Sequence, residues 1–83
     1  MAPTNTFADQ HGYVQRYDYA EESVVVADTA FADEQVSVDV VDGTAMVVVE
    51  ADGESRQYEL DLPDGEVARA FINNGIVTVE VSR

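Results

Sequence analysis

Alternation of apolar and polar positions dominates the second half of the chain, and Gly-containing pairs interrupt it at regular intervals. Val36, Val38 and Val40 alternate with Ser37 and Asp39, and Asp42-Gly43 then leads into Thr44 to Glu50. Asp-Gly and Asn-Gly accept the positive φ angles of a two-residue hairpin turn, so Asp42-Gly43, Asp52-Gly53 and Asn74-Gly75, each flanked by alternating runs, predict hairpins and fix their registers. Across Asp42-Gly43 this register pairs Val40 with Ala45, Val38 with Val47 and Val36 with Val49. Across Asp52-Gly53 it sets Tyr58 opposite Val47 and Leu60 opposite Ala45, and the same apolar face continues to Leu62. Pro63 ends that strand, and Asp64-Gly65-Glu66 turns into the last pair. Across Asn74-Gly75, Asn73 faces Ile76, Ile72 faces Val77, Ala70 faces Val79 and Ala68 faces Val81. The reverse face of this pair carries Phe71, Thr78 and an Arg69–Glu80 couple, as on a sheet wetted on one side. A slip by one residue would turn each apolar set to water.

Ser23 to Asp28 is a continuous β-branched run, expected as a strand buried on much of both faces, and Thr29 to Glu34 is a polar link. Together these elements predict an all-β, immunoglobulin-like sandwich of two antiparallel sheets with six to seven strands. The meander ending at Leu62 forms one sheet; Val24–Asp28 and the closing hairpin form the other. The free edges are then Gln35–Val41 and Val67–Asn73. On the far face of the meander, Met46 and Val48 lie among Asp39, Gln57, Glu59 and Asp61. They are either a small strip for a partner or scattered surface hydrophobes.

Residues 1–18 hold Pro3, Gly12 and no sustained period, which predicts a flexible N-terminal arm preceding a domain over residues 19–83. Phe7, Tyr13, Tyr17 and Tyr19 interrupt its polarity. Tyr13 and Tyr17 are candidate contacts for a client or a sister subunit; the alternative is that Tyr17 and Tyr19 begin a strand at the end of the sandwich.

Ala70-x-x-x-Asn74-Gly75-Ile76-Val77, with Leu62-Pro63 upstream, resembles the signature that closes the α-crystallin domain of small heat-shock proteins. The resemblance covers roughly residues 17–83. It implies an ATP-independent holdase that shields apolar segments of unfolding clients, acting alone or with longer small heat-shock relatives. It also implies a groove between the free edges, bordered by Val38, Val40, Phe71 and Ile72. The tight Asp52-Gly53 turn leaves no room for the family's long exchanged-strand loop, and no Ile-x-Ile tail stands after the last strand. A monomer or small oligomer is therefore expected rather than a large shell.

Charge changes the picture of partners. Seventeen acidic residues face four arginines and no lysine, for a net charge of −13 in 83 residues. Such a chain is repelled by nucleic-acid phosphates, so no nucleic-acid partner is expected. The acids are spread between strands in a chain that is 46% hydrophobic, which favours an acid-coated folded domain over a disordered one. At about 1 M salt the Debye length falls to about 3 Å and the self-repulsion of that coat largely vanishes. Composition of this kind resembles that of haloarchaeal proteins and suggests a salty cytoplasm; an ordinary acidic protein is the plainer reading. No apolar run approaches a membrane span and no signal-like leader opens the sequence, so a cytoplasmic protein without membrane attachment is expected.

Catalytic inventory is poor. There is no cysteine, His11 stands alone in the arm, and Ser23, Ser37, Ser55 and Ser82 lie outside any nucleophile-elbow pattern. Neither Asp42-Gly43 nor Asp52-Gly53 has the spacing of a calcium loop, and the glycines are single. A non-enzyme with no catalytic, cofactor or metal site is expected, and the rival to the holdase is a co-chaperone adaptor or assembly accessory that uses the same sheet edges for one partner.

Overall fold

In a computed structural model, residues 5–6 and 14–82 are described. Seven antiparallel strands of five to eight residues build the domain: β2 (Val14–Asp18), β3 (Glu22–Asp28), β4 (Val36–Val41), β5 (Thr44–Ala51), β6 (Glu54–Asp61), β7 (Glu66–Asn73) and β8 (Ile76–Ser82). A two-residue β1 (Asn5–Thr6) runs parallel to β6. One sheet has the order β1-β6-β5-β4 and the other β2-β3-β8-β7. The expected two-sheet sandwich is the fold observed.

All three turn signals perform as the residues dictate. Asp42, Asp52 and Asn74 have φ of 48, 55 and 54°, and the glycine after each lies at 75 or 76°. Both positions are thus left-handed, as this hairpin turn requires. Val38 pairs with Val47, Val47 with Tyr58 and Ala45 with Leu60, so the expected registers hold through the meander. Inward-facing Val36, Ala45, Val47, Val49, Tyr58 and Leu60 meet Val25, Ala27, Val77, Val79 and Val81 of the opposite sheet. Valine dominates because its β-branched stem fits a pleated surface with little rotamer entropy to lose. Tyr58 is buried, and the exposed Arg56 guanidinium bonds its side chain. That bond, helped by Glu54, holds the Arg56 pKa above its ordinary value.

Three expectations are corrected. A bulge at Ala68 sets Val67, not Ala68, opposite Val81, because the extra residue turns the larger apolar side chain inward and leaves Ala68 in water. Residues 14–18, placed in the arm by a domain boundary after residue 18, pair along their whole length with β3 as an edge strand, so Tyr17 lies within a strand, as the alternative held, and Tyr19 just beyond its end. The run Ser23–Asp28 is buried on one face only: Ser23, Val25 and Ala27 point inward, whereas Val24 and Val26 are half-buried on the outer face. β-Branched residues on both faces of β3 mimic a doubly covered strand in the sequence, yet among the described residues no element overlies that outer side.

The link after β3 is less open than its polar composition suggests. Thr29 is 1% exposed, and both its amide and its hydroxyl donate to the carbonyl of Gly75, at 3.0 and 2.6 Å. The same hydroxyl accepts from the Phe31 amide, and the Asp33 carboxylate accepts from the Gly75 amide at 2.6 Å. The turn at Asn74-Gly75 is therefore clasped on both backbone groups of its glycine. A Cβ at Gly75 would overlap the Phe31 carbonyl, so glycine is required by space as well as by φ.

Candidate interaction surfaces

Strands β4 and β7 each form one edge of their sheets, as expected, and they lie on the same side of the sandwich in mutual contact; β1 and β2 form the other edges. Val38, Val40 and Ile72 point inward there, half-buried against the core. Phe71 does not join them. It pairs with Thr78 and projects from the opposite face, because successive residues of a strand alternate sides. The groove set expected from the resemblance is thus split three against one.

Phe71 belongs instead to the outer face of β2-β3-β8-β7. Its row across the sheet is Gln15, Val26, Thr78, Phe71; the adjacent row is Tyr17, Val24, Glu80, Arg69; Ile76 follows at the end. Val24, Val26, Ile76 and Phe71 are half-buried, and Tyr17 is 45% exposed. The Arg69 guanidinium lies 4.6 Å from the centroid of the Phe71 ring and 3.7 Å from the Glu80 carboxylate, so the one cation on this face is engaged locally. Tyr17 donates to Gln15 at 2.6 Å. Structure thus brings Tyr17 and Phe71 to a single face, at opposite ends of it, with the valines of β3 between. Reading β3 as covered hides this surface at the level of sequence; the available signal is that its outer side carries two valines, Val24 and Val26, against one, Val25, on the inner side.

Tyr13 lies outside the described residues, as does His11. Among the described residues no cluster of His, Cys, Asp or Glu is arranged to hold a metal ion, and no helix is long and apolar enough to cross a membrane. Concave regions are shallow and polar-edged: one is lined by Arg16, Leu62, Pro63, Asp64 and Gly65, and a smaller one of about 120 Å³ by Phe31, Val49, Ala51, Asp52, Glu54 and Arg56. In the first, Arg16 is already paired with Asp18 at 2.8 Å. Neither brings a nucleophile against a base.

These features define an acid-coated β-sandwich with apolar side chains from all four strands on the outer face of one sheet. The chain matches, over residues 1–81, the model of a family of unknown function, DUF7127, and belongs to that family. No curated protein and no solved structure matches it. Membership in the small heat-shock family, expected from the Ala70 to Val77 signature, is therefore corrected: the family model that spans the chain is a different one. The physical reason is that an alternating strand, Asn-Gly and a second alternating strand are what any hairpin of this register requires.

Proposed function

We propose that this domain is a non-catalytic protein-binding module acting through the outer face of β2-β3-β8-β7. The observation that carries the reading is the set Tyr17, Val24, Val26, Phe71 and Ile76, contributed by all four strands and facing away from the core. An apolar surface of this kind gains by being covered, in proportion to the area removed from water. Binding is by mass action with no covalent step and no ATP. In its broadest form the module is a holdase that covers apolar segments of unfolding proteins; in its narrowest it is an adaptor for one partner. The cytoplasm is the proposed site of action, and a high-salt cytoplasm suits a coat of net charge −13.

Light scattering of a heat-stressed, salt-tolerant client at about 2 M KCl, a level at which surface charges are screened, tests this. A stoichiometric amount of the wild-type protein is expected to suppress scattering, and Phe71→Ser with Val24→Ser to lose most of that effect while remaining folded. Suppression that survives both substitutions removes this face from the function. If the wild type suppresses nothing, the holdase form is excluded, and the adaptor form then requires one partner retained by the wild type and released by the double variant.

A further inference from the structure

The outer face of the other sheet is built differently. Along its central strand, Thr44, Met46 and Val48 point outward and are half-buried. Met46 stands directly between two carboxylates, paired with Asp39 on β4 and with Glu59 on β6. Val48 stands between Ser37 and Gln57, and Thr44 between Val41 and Asp61; Glu50 closes the row. Val41 is 51% exposed.

No arginine of the described residues lies on this face. Arg16 pairs with Asp18 on β2, Arg69 with Glu80 across β7 and β8, and Arg56 with Glu54 on the inward side of β6. The two outer faces thus differ in kind: one holds its own cation, whereas the other offers an apolar line along β5 flanked by carboxylates that no side chain of the described residues neutralises in a salt bridge.

We infer that this face docks a cationic amphipathic helix of another protein, lying along β5. Its apolar stripe would cover Met46 and Val48, and Lys or Arg on both borders of that stripe would reach Asp39 on one side and Glu59 on the other. The spacing fits: β4 and β6 are two strand separations apart, about 9.5 Å, and a helix with side chains is about 10–12 Å across. Methionine at the centre suits such a guest, since its flexible thioether adapts to varied apolar stripes. A second copy of this chain is disfavoured as the occupant, because both would carry net charge −13 and present the same carboxylates.

The test uses a synthetic helical peptide with a leucine stripe bordered by arginines, and a scrambled peptide of the same composition. Affinities are measured at the lowest KCl concentration that preserves the wild-type circular dichroism spectrum, and the site is mapped by amide and Met46 methyl chemical shifts. The ordered peptide is expected to shift Met46, Val48 and their neighbours on β4 and β6. Asp39→Asn with Glu59→Gln should weaken it about fivefold, as two exposed ion pairs would, and Asp39→Lys should weaken it further. Val48→Ser should weaken it as well, whereas Phe71→Ser should leave it unchanged, which separates this site from the opposite face. Equal binding of the scrambled peptide, no binding of either, or an equal loss from Glu21→Gln with Glu22→Gln would overturn the inference, since the last reports only the general coat.

Discussion

Two hairpin tips in this molecule share a backbone and differ in everything around it. Asp52-Gly53 and Asn74-Gly75 have φ values within one degree of each other. A Cβ at Gly53 would meet nothing within 4 Å, whereas one at Gly75 would strike the Phe31 carbonyl. The first tip is a turn and nothing more. The second is a fixture: Thr29 and Asp33 grip it and tie the link between β3 and β4 to the closing hairpin. The same hairpin then presents Phe71 on its outer side, clear of that clasp. One end of β7–β8 is immobilised, and the adjacent face is left open for contact.

Substitution at the two tips sharpens this contrast most. Gly75→Ala should cost at least about 3 kcal/mol, adding overlap with the Phe31 carbonyl to a left-handed φ. Since a domain of this size has only about 4–12 kcal/mol in hand, a denaturant titration should show a large fall in midpoint or no folded baseline. Gly53→Ala should cost about 1–2 kcal/mol, the conformational term alone. Equal costs at the two glycines would break the comparison.

The clasp itself predicts intermediate effects. Asp33→Ala strips the Gly75 amide of a charged acceptor, for about 1.5–3 kcal/mol. Thr29→Val removes a buried hydroxyl that serves two backbone groups and should cost about 1–3 kcal/mol. Because both act on one turn, the double variant should lose less than the sum of the two. Phe71→Ser lies at the small end, about 1 kcal/mol from lost packing and the Arg69 contact, with its main consequence in binding. The charge coat predicts a melting temperature that rises by several degrees between about 0.1 M and about 2 M KCl; a flat profile would remove the salt-adaptation reading.

Much of the fold was legible because turn chemistry and period-two alternation agree at each hairpin. The pairings Val38–Val47, Tyr58–Val47 and Ile72–Val77 follow from counting outward from a Gly-containing turn. Ala68 was misplaced because a bulge leaves alternation intact on both sides of itself. β2 is only partly legible: the strand expected to begin at Tyr17 starts at Val14 and ends at Asp18, because Val14-Gln15-Arg16-Tyr17-Asp18 offers a single aliphatic residue and its bounds depend on pairing with β3. The clasp of Thr29 and Asp33 on Gly75 spans more than forty residues and has no local signature. As for the candidate surface, Tyr17 and Phe71 were marked singly, yet only the registers of four strands show that they share a face.

Photo-crosslinking from positions on that face is the most direct test of the proposed binding role. A benzophenone amino acid placed at Phe71 or Tyr17, with Glu34 on the exposed link as control, is irradiated with a heat-stressed client or a captured partner at about 2 M KCl. The account predicts adducts from positions 71 and 17 and few from position 34. Adducts of equal yield from all three positions, or from position 34 alone, would contradict it.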